Sequence, residues 1–322
     1  MNNVKLDWKE FISVVIPLYC EAGNVSSVLR EVHDALVAAD VSYEFVLIDD
    51  GSPDDTWLVI SEEAKNYPAL RAVRLSRNFG KESALCAGLE MARGDAVIVM
   101  DGDGQHPPSL LPEMMRLWRE TGADIVEATK IKRGEETFFS KFSAGVFYLL
   151  WNKLSGFELT GASDFKLMNR KVVNAWMQME EHNVFFRGMT AWLGFTRVQI
   201  PFEVGTRAGG QTGWSVFHLF RLALIGISAF SSIPLQLVTL AGIFFLAFSA
   251  VFSIYTLALW VAGRSVSGFA TVILLLLYIG SLLMISLGII GQYLARIYDE
   301  VKRRPRYVIG RLIEPSVDHQ AD

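Results

Sequence analysis

Two stretches of this chain contain no Asp, Glu, Lys or Arg: Leu222 to Gly263 and, after Arg264 alone, Ser265 to Ala295. A helix of about 20 apolar residues crosses the hydrocarbon core of a bilayer, so each stretch is long enough to span it. Residues 1–212 are different in character, with charges throughout and enough length for a sizeable core of their own. The opening MNNVKLDWKEF lacks the apolar run of a signal peptide. The expected division is a soluble domain (1–212), a segment lying in the membrane interface (213–230), a two-helix transmembrane hairpin (231–297, helices near 233–261 and 268–295) and a basic tail (298–322). Within the third-to-last of these, VFHLFRLALIGISAF has an apolar face interrupted by His218 and Arg221, which suits an interfacial helix or a soluble amphipathic one.

Charge orients the hairpin. Arg and Lys near the ends of spanning helices stay on the cytoplasmic side, and the tail carries Arg296, Lys302, Arg303, Arg304, Arg306 and Arg311 against Arg264 alone in the connection. The expectation is a multi-pass protein of the inner (plasma) membrane with both termini and the soluble domain in the cytoplasm. The basic strip serves as this topology signal and also suits anionic lipid headgroups. The net charge of -4 gives no reason to expect a nucleic-acid partner. Cys20 and Cys86 have no metal-ligand spacing, so they read as small apolar side chains in a reducing compartment.

In the soluble part, strand and helix patterns alternate. FISVVIPLY, YEFVLIDDGS, LRAVRLS and DAVIVMDGDG are β-branched apolar runs that end in turn residues or acids. Between the first two, Val25, Val28, Leu29, Val32, Leu36 and Val37 recur at helical spacing with Asn24 in the capping position. Helices also fit DDTWLVISEEAKNY and GKESALCAGLEMARG. The pattern predicts an α/β fold with a mostly parallel sheet covered on both faces. Such sheets bind ligands outside the carboxyl ends of their strands. There the chain places Glu21, the pair Asp49 and Asp50, and the pair Asp101 and Asp103 around Gly102.

Oxygen-only donors in an open loop favour a hard cation, Mg2+ or Mn2+, that keeps positions free for phosphate oxygens, and Gln105 adds an amide oxygen. A bare D-x-D also fits a solvated turn leading into the helical SLLPEMMRLW; convergence with the other acids on one edge favours the metal. Neither G-x-x-x-x-G-K-[ST] nor a G-x-G-x-x-G after the first strand is present, which disfavours phosphate-loop NTPases and dinucleotide dehydrogenases. His106 and His182 have no Cys or His partner at zinc spacing and read as surface histidines. The aromatic run FFSKFSAGVFYLLW fits either core or an apolar groove for a lipid chain.

The ordered set VVIPLYCEAGN, LIDDGSPDDT, LSRNFGKESALCAGL, VMDGDGQHPP, GASDFKLMNRKVV, FFRGMTAWLG, RAGGQTGWS and IGQYLARIYDEVKRRPRYVI resembles the polyprenyl-phosphate glycosyltransferases of glycosyltransferase family 2, bacterial undecaprenyl-phosphate glucosyltransferases and dolichyl-phosphate mannose synthases among them. The resemblance covers nearly the whole chain. It implies a GT-A fold, a nucleotide-sugar donor with UDP-glucose first, an undecaprenyl phosphate acceptor, a divalent metal and a homo-oligomer, a tetramer in that family. By the same resemblance Pro17, Tyr19 and Glu21 line the nucleotide pocket and Asp50 and Arg77 contact the base. Asp101 and Asp103 hold the metal, with Gln105 a third ligand. Arg133 and Lys141 match cations that meet the acceptor phosphate, Arg207 matches the arginine of an R-x-x-G-x-S-K loop, and Asp164 matches an acid proposed as catalytic base. One departure stands out: Thr212 and Gly213 replace the Ser-Lys of that loop, so a phosphate contact is either missing or supplied by Lys130, Lys132 or Lys166.

Other readings remain for this pattern. The same transfer could use GDP-mannose, UDP-N-acetylglucosamine or a UDP-amino-pentose, and a non-catalytic membrane scaffold would only bind the nucleotide sugar. A processive polysaccharide synthase would need a longer membrane region and a Q-x-x-R-W motif, both missing from this sequence. A two-helix transporter is disfavoured by the lack of intramembrane charge.

Overall fold

The computed structural model describes residues 10–130, 163–181, 184–202, 233–263 and 268–316. The chain forms two compact units. One contains the sheet and, unexpectedly, residues 304 onward; the other contains both apolar C-terminal helices.

The first unit is built on an eight-stranded sheet: β1 (Phe11–Leu18), β2 (Ser42–Asp49), β3 (Leu70–Leu75), β4 (Ala96–Val99), β5 (Ile125–Lys130), β6 (Lys166–Asn169), β7 (Arg197–Phe202) and β8 (Ile309–Ile313), in the spatial order β7-β5-β6-β4-β1-β2-β3-β8. β3, β2, β1 and β4 run parallel. Helices α1 (Val25–Ala38), α2 (Thr56–Glu63), α3 (Lys81–Met91), α4 (Leu111–Thr121), α5 (Arg170–Met177) and α6 (Phe186–Trp192) accompany the strands. Val14, Val15, Val46, Val97 and Ile98 are fully buried, which is why the central strands read as unbroken apolar runs rather than as alternation. α1 buries Val25, Val28, Leu29, Val32 and Leu36. Val37 is 56% exposed, because it lies about 100° round the helix from Leu36 and leaves the buried stripe. Asn24 precedes α1 but its side chain makes no cap; its amide turns back to Glu21 at 2.5 Å.

Direction matters most at β6. It runs antiparallel to β4, with Val99 opposite Lys166, so the chain enters β6 at the same edge of the sheet where β4 ends. Asp164, two residues before β6, is thereby delivered beside Asp101, two residues after β4.

The basic tail is not a free extension. After Arg303, which adopts a left-handed φ of 47°, and Pro305, the chain pairs as β8 antiparallel to β3 and extends the sheet. The apolar unit contains α7 (Ile233–Val261) and α8 (Phe269–Val301), both long and apolar enough by length and composition to cross a membrane. α8 continues past the expected end at 295, through Arg296, Asp299 and Glu300, since a charged turn ends the apolar stretch without ending the helix. The 213–230 segment and the aromatic run around Phe138 to Trp151 lie outside the described residues.

Candidate active site

At the carboxyl edge of the sheet two glycines decide the local backbone. Gly51 follows the acids of β2 with a φ of 68°, and a Cβ there would lie 2.4 Å from the backbone of Arg77. Gly102, between Asp101 and Asp103, packs so closely on β1 that a Cβ would meet Leu18 at 2.3 Å. At Gly51 the left-handed φ and the Arg77 backbone leave room for glycine alone, whereas a Cβ at Gly102 would require the Leu18 side chain to shift.

The first acid pair is tied into the scaffold. Asp49, fully buried, accepts the Ser52 N–H (2.9 Å) and pairs with Arg74 (3.1 Å). Asp50, 3% exposed, accepts the N–H groups of Phe79 (2.7 Å) and Gly80 (2.9 Å) and so anchors the loop before α3. Burial pushes the Asp50 carboxyl up, partly offset by those two amides. Arg77 sits exposed in the same loop with its guanidinium over the Phe79 ring, 4.3 Å from the centroid.

The second acid pair faces a charged cluster. Lys81, the first residue of α3, places its ammonium 2.5 Å from Asp101 Oδ1 and 2.6 Å from Asp164 Oδ2. Arg187, on α6, grips Asp164 with both prongs of its fork, Nε to Oδ1 at 2.7 Å and Nη2 to Oδ2 at 2.8 Å. Burial alone would raise the Asp164 carboxyl; the Arg187 and Lys81 charges more than reverse this and hold it well below the usual carboxylate range. Lys81 and Arg187 are correspondingly raised against their own burial. Next to Lys81, Glu82 accepts the Phe186 N–H at 2.9 Å, and burial pushes its carboxyl up to about 7.

The turn after Asp101 folds back on itself. Asp103 accepts the Gln105 N–H (3.0 Å), and His106 accepts the Asp101 N–H through Nδ1 (2.9 Å) while its ring stacks on Phe165, centroids 5.0 Å apart. His106 is thus buried, at 2% exposure, and the surface reading is corrected. The accepting Nδ1 carries no proton, so the ring is a neutral prop that fixes where the Asp101 backbone turns.

A scan against family models matches residues 13–179 to "Glycosyl transferase family 2". An uncharacterized glycosyltransferase of Synechocystis sp. is 38% identical over 306 residues, 94% of this chain and 95% of that one. The chain belongs to glycosyltransferase family 2. The prophage bactoprenol glucosyl transferase homolog of Escherichia coli K12 is 33% identical over 303 residues, covering 94% of this chain and 99% of that one. Among solved structures, the Pyrobaculum calidifontis mannosyltransferase in complex with GDP-Man and Mn2+ superposes with a TM-score of 0.48 at 18% identity, over 91% of this chain and 88% of that one.

For this family-2 chain, Pro17 lies near the end of β1, Tyr19 is 46% exposed just beyond it, and Glu21 sits at the turn into α1 with its N–H on Thr56 Oγ1 at 3.0 Å. Asp101, Asp103 and Gln105 share one turn. Arg133, Lys141, Arg207, Lys132, Thr212, Gly213 and His182 lie outside the described residues, as does the side chain of Lys130. Lys166 cannot stand in for a missing phosphate contact: it is 1% exposed, pairs with Glu127 at 2.9 Å and donates to Thr190 at 2.8 Å. Sequence pattern alone assigns no role to Lys81, Glu82 or Arg187, although GKES and FFRG lie within the motifs that carry the family resemblance.

Among the described residues no cluster of three or more His, Cys, Asp and Glu gathers to hold a metal. The donors present fit a hard cation that takes only part of its shell from protein: two carboxylates and an amide oxygen in one glycine-flanked turn, with the Asp101 side chain 24% exposed.

Proposed function

We propose that this glycosyltransferase transfers a sugar, glucose first, from a nucleoside-diphosphate donor to a polyprenyl phosphate at the cytoplasmic face of the membrane. The observation that carries the reading is the juxtaposition of Asp101 and Asp164 around Lys81, with Arg187 closing the cluster. The names of the bactoprenol glucosyl transferases, each 33–34% identical over nearly the whole chain, support the lipid acceptor and glucose. Support for the membrane placement is topological. The residues before and after the two apolar helices belong to one compact unit, which accords with an even number of crossings, and the excess of Arg and Lys flanking α8 favours a cytoplasmic position for that unit.

A phosphate monoester has a second pKa of about 6, so near neutral pH the acceptor is already a dianion and needs no strong base. One of its oxygens attacks the anomeric carbon while the bond to the donor's diphosphate breaks, and the nucleoside diphosphate leaves with the electron pair. A single displacement inverts the anomeric centre. Asp164, held ionised by Arg187 and Lys81, is too weak a base to take a proton at neutral pH; its part is to orient Lys81 and Arg187 toward the reacting phosphates. Those two cations are already matched by Asp101 and Asp164, so the diphosphate brings charge that this cluster does not balance. Asp101 and Asp103, with Gln105 as a further donor, would hold a Mg2+ or Mn2+, which would supply positive charge to stabilise the leaving diphosphate. Pro17, Tyr19, Glu21 and Arg77 form the nucleotide side of the site, Asp50 holds the Phe79–Gly80 loop beside them, and Arg133, Lys141 and Arg207 serve the acceptor phosphate.

The test is transfer of radiolabelled sugar from a panel of nucleotide sugars to undecaprenyl phosphate in detergent. A single labelled lipid product identifies both donor and acceptor. No product from any donor, in folded protein, favours a binding-only scaffold.

A further inference from the structure

Two segments converge on Asp164, and they are joined at two places. α3 brings Lys81 and Glu82; α6 brings Phe186 and Arg187, with Met179 to Glu181 a few residues ahead of it in the chain. At the site they are joined by the Phe186 N–H on Glu82 and by Asp164 itself, which accepts from both Lys81 and Arg187. Farther along α3 they are joined again, by a residue from the other end of the sequence. Arg306 donates through Nε to the Glu181 carbonyl (3.0 Å) and through Nη2 to the Met179 carbonyl, while Nη1 meets Cys86 Sγ on α3 at 3.9 Å. The neighbouring Tyr307 hydroxyl donates to Glu90, on the same helix.

This fastening is itself anchored. The Val308 carbonyl accepts the Ser76 N–H (2.8 Å), β8 pairs with β3, Glu314 meets Arg71 at 3.2 Å and the Ser316 N–H reaches the Pro68 carbonyl (2.9 Å). A planar fork with fixed donor directions can serve two carbonyls and a sulfur at once, which a lysine ammonium on a flexible stem cannot reproduce. Burial pushes the Cys86 thiol up to about 11, so Arg306 meets a neutral thiol there, not a thiolate. Its role is geometric.

We propose that Arg306 is a positioning residue of the transferase site: by clamping α3 to the 179–181 segment it sets the spacing at which Lys81 and Arg187 meet Asp164. The inference rests on the transferase reading and adds to it a residue that touches neither substrate. Positioning that is realised in the transition state acts on kcat more than on donor KM.

The experiment compares R306A and R306K with the wild-type full chain in detergent, by sugar transfer and by amide hydrogen exchange. R306A is expected to lower kcat by about tenfold or more with donor KM within about twofold, and R306K to recover only part of it. Millimolar guanidinium, far below the molar concentrations that unfold proteins, is expected to raise the R306A rate and leave the wild-type rate unchanged. In R306A the amides of α3 and of Phe186 should exchange faster while those of β1 and β2 keep their protection. Wild-type kcat in R306A, or a loss that tracks global unfolding with exchange accelerated everywhere and no guanidinium response, overturns the proposal. If the wild type itself transfers no sugar, the transferase reading fails, and exchange alone then decides whether Arg306 clamps the two segments.

Discussion

The two acid pairs at the carboxyl edge look alike in sequence, IDDGS and MDGDG, and the fold uses them in opposite ways. Asp49 and Asp50 are taken up by the scaffold: the half-buried Arg74 and three backbone N–H groups claim their oxygens. Asp103 accepts one backbone N–H within its own turn, while the Asp101 carboxylate meets the Lys81 ammonium at 2.5 Å and the His106 ring at 3.9 Å and, among the described residues, accepts no backbone N–H. What separates them is the number of amides within reach. An acid whose oxygens are claimed by backbone N–H groups holds loops together, whereas one left to mobile cations can exchange them for a ligand.

This contrast predicts different consequences on each side, the largest at the open pair. Asp103→Ala should lower sugar transfer by about a thousandfold, the order seen when a group stabilising transition-state charge is removed, and shift stability by less than about 1 kcal/mol. A large loss of stability in that variant would put Asp103 with the scaffold acids and erase the distinction.

Asp164→Asn should lower turnover by about a hundredfold while nucleotide-sugar binding persists, since the cluster loses the anion that orients Lys81 and Arg187. Unfolding measured alongside should show a cost of about 2 kcal/mol, below the ~3–5 kcal/mol of breaking a fully buried pair, because both cations are about 40% exposed. The Asp164 carboxyl is depressed in the fold, so its stabilisation is present above the ordinary carboxylate range and fades as acid protonates it. A pH–rate profile with no inflection from Asp164 between pH 5 and 8 accords with an orienting role; an Asp164-dependent inflection there would restore the base.

Asp50→Asn keeps the shape but turns an amide NH2 toward a backbone N–H, so it should cost about 2 kcal/mol in denaturant unfolding and loosen the Phe79–Gly80 loop. If stability is unchanged and only donor affinity falls, Asp50 acts on the nucleotide directly and the scaffold reading of the first pair is wrong. At Glu82 the effect falls on the pH dependence of stability. Its folded pKa of about 7 lies above the ordinary value of about 4.3, so the folded chain retains a proton the unfolded chain has lost, and stability falls as pH rises across that window. Glu82→Gln cannot titrate and should show a shallower decline in Tm between pH 5 and pH 8; parallel slopes would remove Glu82 from the account.

Much of this was legible in sequence because it depends on local pattern. Apolar runs ending in acids mark β1, β2 and β4, and the strand-helix alternation orders them along one edge. Family motifs drew attention to GKES, DGDG, ASDF and FFRG, yet not to what joins them. Lys81 meets Asp164 only because β6 runs antiparallel to β4, and that direction is written in no short motif. Likewise the burial of His106 and Lys166 depends on partners 59 residues and 39 residues away in Phe165 and Glu127. The tail read as a charge signal because Arg and Lys dominate it, while IGRLI, which pairs with β3, is too short to stand out as a strand.

The most direct measurement sets chelation against mutation: sugar transfer by the wild type and by Asp103→Ala, each with Mg2+ or Mn2+ and with chelator. Chelator is expected to bring the wild type down to the level of the variant and to lower the variant no further. Undiminished transfer by the wild type in chelator, or by the variant in metal, would contradict the claim that the open acid pair holds the ion on which transfer depends.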